Sequence, residues 1–333
     1  MNQTENKLLL EAKNLKKFFP VDKKINGQKA EVKAVNDVSI TIHSNEVYGL
    51  VGETGCGKST LGRTLLRLME ATSGQILYKG QDITTIPQKE FRRYRQNLQM
   101  IFQDPYTSLN PRKNVGKILE EVLAIQGVKK PKERMDRSLE ILDRVGLRPE
   151  HYYRYPHEFS GGQRQRVGIA RALILNPEFI VCDEPVSALD VSIQSQIINL
   201  LLDLKERDHL SYLFIAHDIG VVRYISDRIG VMYLGYLFEE ADTDELFHNP
   251  LHPYTQALLS SVPVIDFEKD RGERKLIEGE LPSPLSPPDG CVFHTRCSYA
   301  KDICKKECPA MKKVGKGHRV MCHLYDTQKE EFN

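Results

Sequence analysis

Gly52-Glu53-Thr54-Gly55-Cys56-Gly57-Lys58-Ser59-Thr60 sets a glycine, four residues and then Gly-Lys-Ser in a row, the spacing of a phosphate-cradling loop. Glycines at such positions let the backbone wrap its N–H groups around a polyphosphate, and a helix that starts there turns its positive end toward the same anion. Lys58 is then expected to reach the β and γ phosphates, and Ser59 to offer its hydroxyl to Mg²⁺. The flanks supply the required context: Val47-Tyr48-Gly49-Leu50-Val51 suits a buried strand, and Leu61 to Met69 carries leucines at helical spacing. The competing reading, a glycine-rich turn with a chance Gly-Lys-Ser, explains neither flank.

Toward the N-terminus, Leu8-Leu9-Leu10 opens a strand, and Val32, Ala34 and Val35 resume one after a Lys-rich excursion from Val21 to Lys33, read as a surface hairpin. Val38, Ile40 and Ile42 alternate with Ser39 and Thr41, the period of a half-buried strand. Phe18-Phe19-Pro20 offers an aromatic ring to stack on a nucleotide base, with plain core packing as the commoner role of such a pair.

Toward the C-terminus the pattern between Phe91 and Gly146 turns helical. Val115, Ile118, Leu119, Val122 and Leu123 fall on one face and Leu139, Leu142 and Val145 on another, as expected of an inserted helical subdomain. Before it, Met100-Ile101-Phe102-Gln103-Asp104-Pro105 is an apolar strand stopped by Pro. Gln103 at its end is either a solvated loop residue or a contact to Mg²⁺ and water. After it, Ser160-Gly161-Gly162-Gln163 opens a helix with Ser160 as the N-cap, a second candidate anion site.

Phe179-Ile180-Val181-Cys182 is a buried-type strand that runs into Asp183-Glu184. Neighbouring strand positions face opposite ways, so these acids are expected to differ in role. One holds Mg²⁺ through its water shell and the other faces an attacking water as general base, with helix-cap acids as the bland alternative. Tyr212-Leu213-Phe214-Ile215-Ala216 is a further strand, with His217 at the C-terminal edge where ligands of open α/β sheets bind.

The chain has 333 residues, which suggests one large unit and a smaller one. Charged residues make up 28% of it, yet the net charge is only +2, so no basic field points to nucleic acid. No apolar run approaches the roughly 18 residues of a membrane span, and the polar opening is unlike a signal peptide. Past about Glu245, Pro250, Pro253, Pro263, Pro282, Pro284, Pro287 and Pro288 mark turning backbone. Five of the seven cysteines follow: Cys291, Cys297, Cys304, Cys308 and Cys322. In a reducing cytosol such density favours a metal over disulfides. Zn²⁺ and an iron–sulfur cluster both remain open, because no Cys-x-x-Cys pair is present; Cys304 and Cys308 with His318 or His323 would allow zinc.

Together, Gly52 to Thr60, Gln103, Ser160 to Gln163, Asp183-Glu184, Ser187-Ala188-Leu189-Asp190 and His217 resemble the ATPases of ABC transporters over roughly residues 7–245. The strings from Phe102 to Pro111, from Asp183 to Asp190 and from His252 to Leu259 resemble the oligopeptide/dipeptide importer branch, and within it the subunit usually called F. The implied fold is an α/β P-loop ABC-type ATPase domain, residues 1–245, with an antiparallel β edge and an inserted helical subdomain at about 91–175. A small Cys-rich extension, 246–333, would follow.

The resemblance implies roles residue by residue. Phe19 matches the base-stacking position, although many relatives have Tyr there. Gly52, Glu53, Thr54, Gly55, Cys56, Gly57, Lys58, Ser59 and Thr60 would bind ATP, with Ser59, Gln103 and Asp183 around Mg²⁺. Gln103 would also couple this site to membrane subunits, Glu184 would polarise water, and His217 would sense the γ-phosphate. Ser160, Gly161, Gly162 and Gln163 would complete the ATP site of an opposing ATPase subunit, and Asp190 belongs to the loop crossing that interface. The segment from Gly290 to Cys297, with Cys304 and the closing stretch His318 to His323, is similar to importer extensions that bind a [4Fe–4S] cluster. On that match Cys291, Cys297, Cys304 and Cys322 are the ligands, Cys308 is supernumerary, and Zn²⁺ is the alternative. Such a cluster would be structural, and its loss is expected to leave the phosphate site intact.

The implied activity is ATP hydrolysis that energises peptide import, at the cytoplasmic face of the membrane. The implied partners are a second, homologous ATPase subunit forming a heterodimer, two permease subunits and an extracytoplasmic peptide-binding protein, with no nucleic acid. Two other readings compete. One is an importer of nickel or another small ligand. The other is a soluble ABC-type ATPase acting on ribosomes or DNA, whose usual paired cassettes or coiled-coil insertion are not visible here.

Overall fold

The computed structural model describes residues 7–25, 28–260 and 279–326. Residues 1–6, the tip of the expected hairpin at 26–27 and Pro263 lie outside them. The strands are β1 (Leu8–Ile25), β2 (Gln28–His43), β3 (Val47–Val51), β4 (Ser73–Tyr78), β5 (Gln81–Asp82), β6 (Leu98–Ile101), β7 (Phe179–Asp183), β8 (Ser211–Ile215), β9 (Arg228–Tyr233), β10 (Tyr236–Asp242), β11 (Lys312–Lys313) and β12 (Arg319–Val320). The chain divides into two compact units, one built on 1–9, 42–47 and 85–216, the other on 10–41, 48–84 and 217–333.

The first unit carries the parallel run β6-β7-β8. Parallel strands are covered on both faces and read as unbroken apolar runs, and Phe179, Ile180, Val181 and Cys182 are all fully buried. The helical stretch forms Val115–Ile125 and Pro131–Arg144. Asn114 caps the former by accepting the Lys117 N–H at 2.9 Å, and Val115, Ile118, Leu119 and Leu123 form its buried face. Leu142 and Val145 are buried as the periodicity predicts, while Val122 and Leu139 are only half-buried.

The second unit carries the antiparallel edge: β1 pairs β4, β4 pairs β5, and β2 lies beside β1. The predicted alternation holds, with Val38 and Ile40 buried and Ser39 half-exposed between them. In the same unit β3 runs parallel to β9, β10 pairs β9 antiparallel, and β12 then β11 extend that ladder.

Residues 279–326 belong to the compact unit that carries the phosphate loop. The physical reason is a buried acid on β10. Glu239, with no exposed surface, accepts Leu251 N at 2.7 Å, His252 N at 2.8 Å and His318 Nε2 at 2.8 Å. Burial pulls the His318 pKa down, but the carboxylates of Glu239 and Glu245 outweigh it, and the imidazole is held above its ordinary value. Breaking such a buried pair from one side costs about 3–5 kcal/mol. Next to it Glu240 is gripped by Arg228 from β9 and Arg319 from β12.

Candidate active site

In the second unit the phosphate loop runs from the end of β3 into the helix Lys58–Leu65. Gly57 has φ 107°, and a Cβ there would lie 1.9 Å from the Ala34 carbonyl oxygen, so only glycine fits. The Lys58 side chain folds back over the loop: Nζ donates to Gly52 O at 2.7 Å and Glu53 O at 3.1 Å. An ammonium so placed presents a fixed positive charge where a polyphosphate would enter. Ser59 and Thr60 are half-exposed, and Thr54 and Gly55 are exposed. Cys56 is buried, which raises its thiol pKa, and its carbonyl accepts Gly235 N at 2.8 Å.

Phe19 is half-exposed on β1, with Lys17 Nζ 4.9 Å from its ring centroid, so it is not a core residue. His217 is exposed, two residues past β8 and just before the helix Ile219–Ile225, which Asp218 caps.

The first unit holds the carboxylates. Asp183 closes β7 with no exposed surface. Glu184 leaves the strand at φ 47°, a left-handed conformation uncommon for a side chain of its size, while its N–H donates to Ile215 O at 2.9 Å. Strained backbone of this kind gathers at functional sites. Gln103, exposed at the end of β6, donates Nε2 to Glu184 Oε2 at 2.9 Å. Sequence reasoning placed Gln103 at the metal and did not foresee this bond.

Ser160 caps the helix Gly161–Leu173 as expected, and Gln163 closes a capping box by accepting Ser160 N at 3.1 Å. At Gly162 a Cβ would fall 2.5 Å from Ile193 Cγ2, so the backbone there packs directly on the next helix. Asp190 caps that helix, Val191–Asp208, accepting Ile193 N at 3.0 Å and Ser192 Oγ at 2.8 Å, bonds that lower its pKa. The sequence-predicted residues thus form two sets. Phe19, the phosphate loop and His217 belong to one unit; Gln103, Ser160 to Gln163, Asp183, Glu184 and Asp190 belong to the other.

Cys291, Cys297, Cys304 and Cys322 face one small pocket, which His252 also lines. Cys308 stands apart, exposed, with its thiol bonded to Tyr236. Burial, with neighbouring cysteines adding to it, pushes the Cys291 thiol up to about 12 and the Cys322 thiol up to about 11. Among the described residues, however, no group of three or more His, Cys, Asp or Glu is arranged to hold a metal ion. The cluster or zinc expected from the sequence thus finds no such group in its support, although the four thiols converge on one pocket. The donor chemistry still suits a soft metal. His252 is buried, and its Nε2 has no hydrogen-bond partner.

The segment past residue 245 also reaches the phosphate loop. Tyr254 accepts Glu53 N at 2.9 Å, and Arg296 donates to Glu53 Oε1 at 3.1 Å and Oε2 at 3.0 Å. Sequence reasoning missed both residues. The one available signal was a carboxylate inside an anion-binding loop, which calls for a cation from elsewhere.

Comparison with known proteins follows the same lines. Residues 35–187 match the family described as ABC transporter, and residues 238–304 match the oligopeptide/dipeptide transporter C-terminal region. The chain is 54% identical to the oligopeptide transport ATP-binding protein AppF of Bacillus subtilis, over 98% of this chain and 100% of that one. It is 48% identical to the dipeptide transport ATP-binding protein DppF of Escherichia coli, over 96% and 95% of the two chains. Among solved structures it resembles the dimeric ATP-binding cassette MJ0796 bound to ADP and Pi, at TM-score 0.63 and 28% identity, over 71% of this chain and 99% of that one. It also resembles cbiO1 of Clostridium perfringens, part of an ABC transporter complex, at TM-score 0.61 and 26% identity, over 73% and 92%.

Proposed function

Because this chain belongs to the ATP-binding proteins of ABC transporters, in the oligopeptide/dipeptide branch, we propose a role for each of its site residues in one transport cycle. The protein is a transport ATPase, and the work it drives is peptide import by a transporter with permease and binding-protein partners. The observation that carries this conclusion is similarity over nearly the whole chain, extension included.

Gly52 to Thr60 cradle the triphosphate, Lys58 neutralises its β and γ groups, and Phe19 stacks on the base. Ser59, Asp183 and Gln103 would hold Mg²⁺, an ion that would supply positive charge beside the phosphates. Glu184 takes the proton of the attacking water, with Gln103 fixing its carboxylate, and His217 reads the γ-phosphate. We keep residues 1–245 as the ATPase domain, with its helical subdomain at about 91–175, and 246–333 as the extension.

Ser160 to Gln163 and Asp190 serve the ATP site of a second, homologous subunit, so the working ATPase is a heterodimer. Among the described residues no helix is long and apolar enough to cross a membrane. In this reading the permease partners hold the chain at the cytoplasmic face. The dimer reading predicts that this chain alone hydrolyses ATP poorly and that adding its cognate ATPase and permeases raises the rate by orders of magnitude. A monomer already fully active in ATP would overturn it.

Cys291, Cys297, Cys304 and Cys322 hold a [4Fe–4S] cluster, supported by their shared pocket and by the unpartnered His252 Nε2. Such a cluster, bound through deprotonated thiols, lends folding free energy to a Pro-rich segment. Anaerobic purification should give about four irons and four labile sulfides per chain, unchanged in Cys308→Ser and lost in Cys297→Ser. Stoichiometric zinc without sulfide would contradict this assignment.

A further inference from the structure

We propose that Arg296, carried by the cysteine-rich extension, is a positioning residue of the ATP site: it clamps Glu53 and so holds the phosphate loop ready for nucleotide. Glu53 is the second residue of the loop, and its carboxylate is an odd charge to keep where a triphosphate must bind. Arg296 answers it. Its side chain is 9% exposed, and Nη1 donates to both carboxylate oxygens and to the Tyr233 hydroxyl at 3.2 Å. The guanidinium also lies 5.8 Å from the Tyr233 ring centroid. That ring packs against Phe293 at 5.3 Å and Tyr254 at 4.8 Å, so the cation is held by a buried aromatic group.

The grip reaches the ammonium that meets phosphate. Glu53 is held at its carboxylate by Arg296 and at its N–H by Tyr254, and its carbonyl accepts Lys58 Nζ. Arg296 closes the short turn His294–Arg296, its own N–H donating to Phe293 O at 2.9 Å. The next residue is Cys297, which lines the cysteine pocket. The fold of the extension therefore fixes where the guanidinium sits. Without that cation an uncompensated carboxylate faces incoming ATP, and like-charge repulsion weakens binding before any chemistry occurs.

This inference rests on the reading of Gly52 to Thr60 as the triphosphate site, and the test separates the two. ATP KM and kcat are measured in the assembled transporter. Arg296→Gln should raise KM about tenfold with kcat changed less than about twofold, the pattern of lost ground-state binding. The defect should shrink as ionic strength rises and screens the exposed carboxylate. Arg296→Lys keeps the charge and should stay within about threefold of wild type in KM. Glu53→Gln combined with Arg296→Gln removes the charge that needed an answer and should recover most of the lost affinity. A purely structural role predicts the opposite: the double variant would be at least as impaired as Arg296→Gln, and salt would not help. That result, or a wild-type KM in Arg296→Gln, overturns the proposal. ATP binding that survives Lys58→Ala would instead unseat the site reading itself.

Discussion

Glu184→Gln in the assembled transporter should leave ATP bound and lower steady-state hydrolysis by about a hundredfold or more, the usual contribution of a general base being about 10²–10⁴. The substitution is nearly isosteric, and an amide oxygen still accepts the Gln103 Nε2 hydrogen bond found at 2.9 Å. The left-handed backbone at φ 47° and the N–H bond to Ile215 O involve no carboxylate. What is lost is the proton acceptor. Bound nucleotide and phosphate release are measured on one sample, and hydrolysis at the wild-type rate would remove Glu184 from the mechanism.

Lys58→Ala should act one step earlier, on binding. A charge-assisted hydrogen bond contributes about 1.5–3 kcal/mol, so nucleotide affinity should fall by about ten- to a hundredfold. The loop also loses the internal bonds from Nζ to Gly52 O and Glu53 O, which hold its turn in shape. Titration of a slowly hydrolysed ATP analogue checks this, and unchanged affinity would contradict the role given to Lys58. The two variants are complementary: one binds without turning over, the other scarcely binds.

The parts legible in the sequence are those whose physics is local. The phosphate loop declares itself through glycine spacing between a strand and a helix, and Ser160 through its place before a helical run. The buried strands Phe179–Asp183 and Ser211–Ile215 follow from unbroken apolar runs. Asp190 was assigned to an interface loop, and the structure adds a local duty, capping the helix Val191–Asp208. The Glu184 turn is invisible in composition, because a left-handed residue other than glycine is set by its surroundings. Tyr254 and Arg296 were out of reach for a plainer reason: their partner Glu53 lies 201 and 243 residues away along the chain. The string around Tyr254 marked the importer branch without indicating that its hydroxyl braces the phosphate loop. The packing of the C-terminal segment on β10 was hidden for the same cause, since Glu239 binds His318 across 79 residues. The four cysteines that share a pocket were separable from Cys308 by resemblance alone, because spacing does not distinguish them.

Hydrolysis at this chain drives peptide across a membrane, and transport can be followed in a defined system. Vesicles carrying the two permeases, the second ATPase and this chain, with the peptide-binding protein supplied on the opposite side, are given MgATP and labelled peptide. Peptide should accumulate with the wild-type chain, and replacement by the Glu184→Gln chain should abolish accumulation while ATP stays bound. Equal accumulation with both chains, or ATP turnover without any peptide movement, would contradict the account.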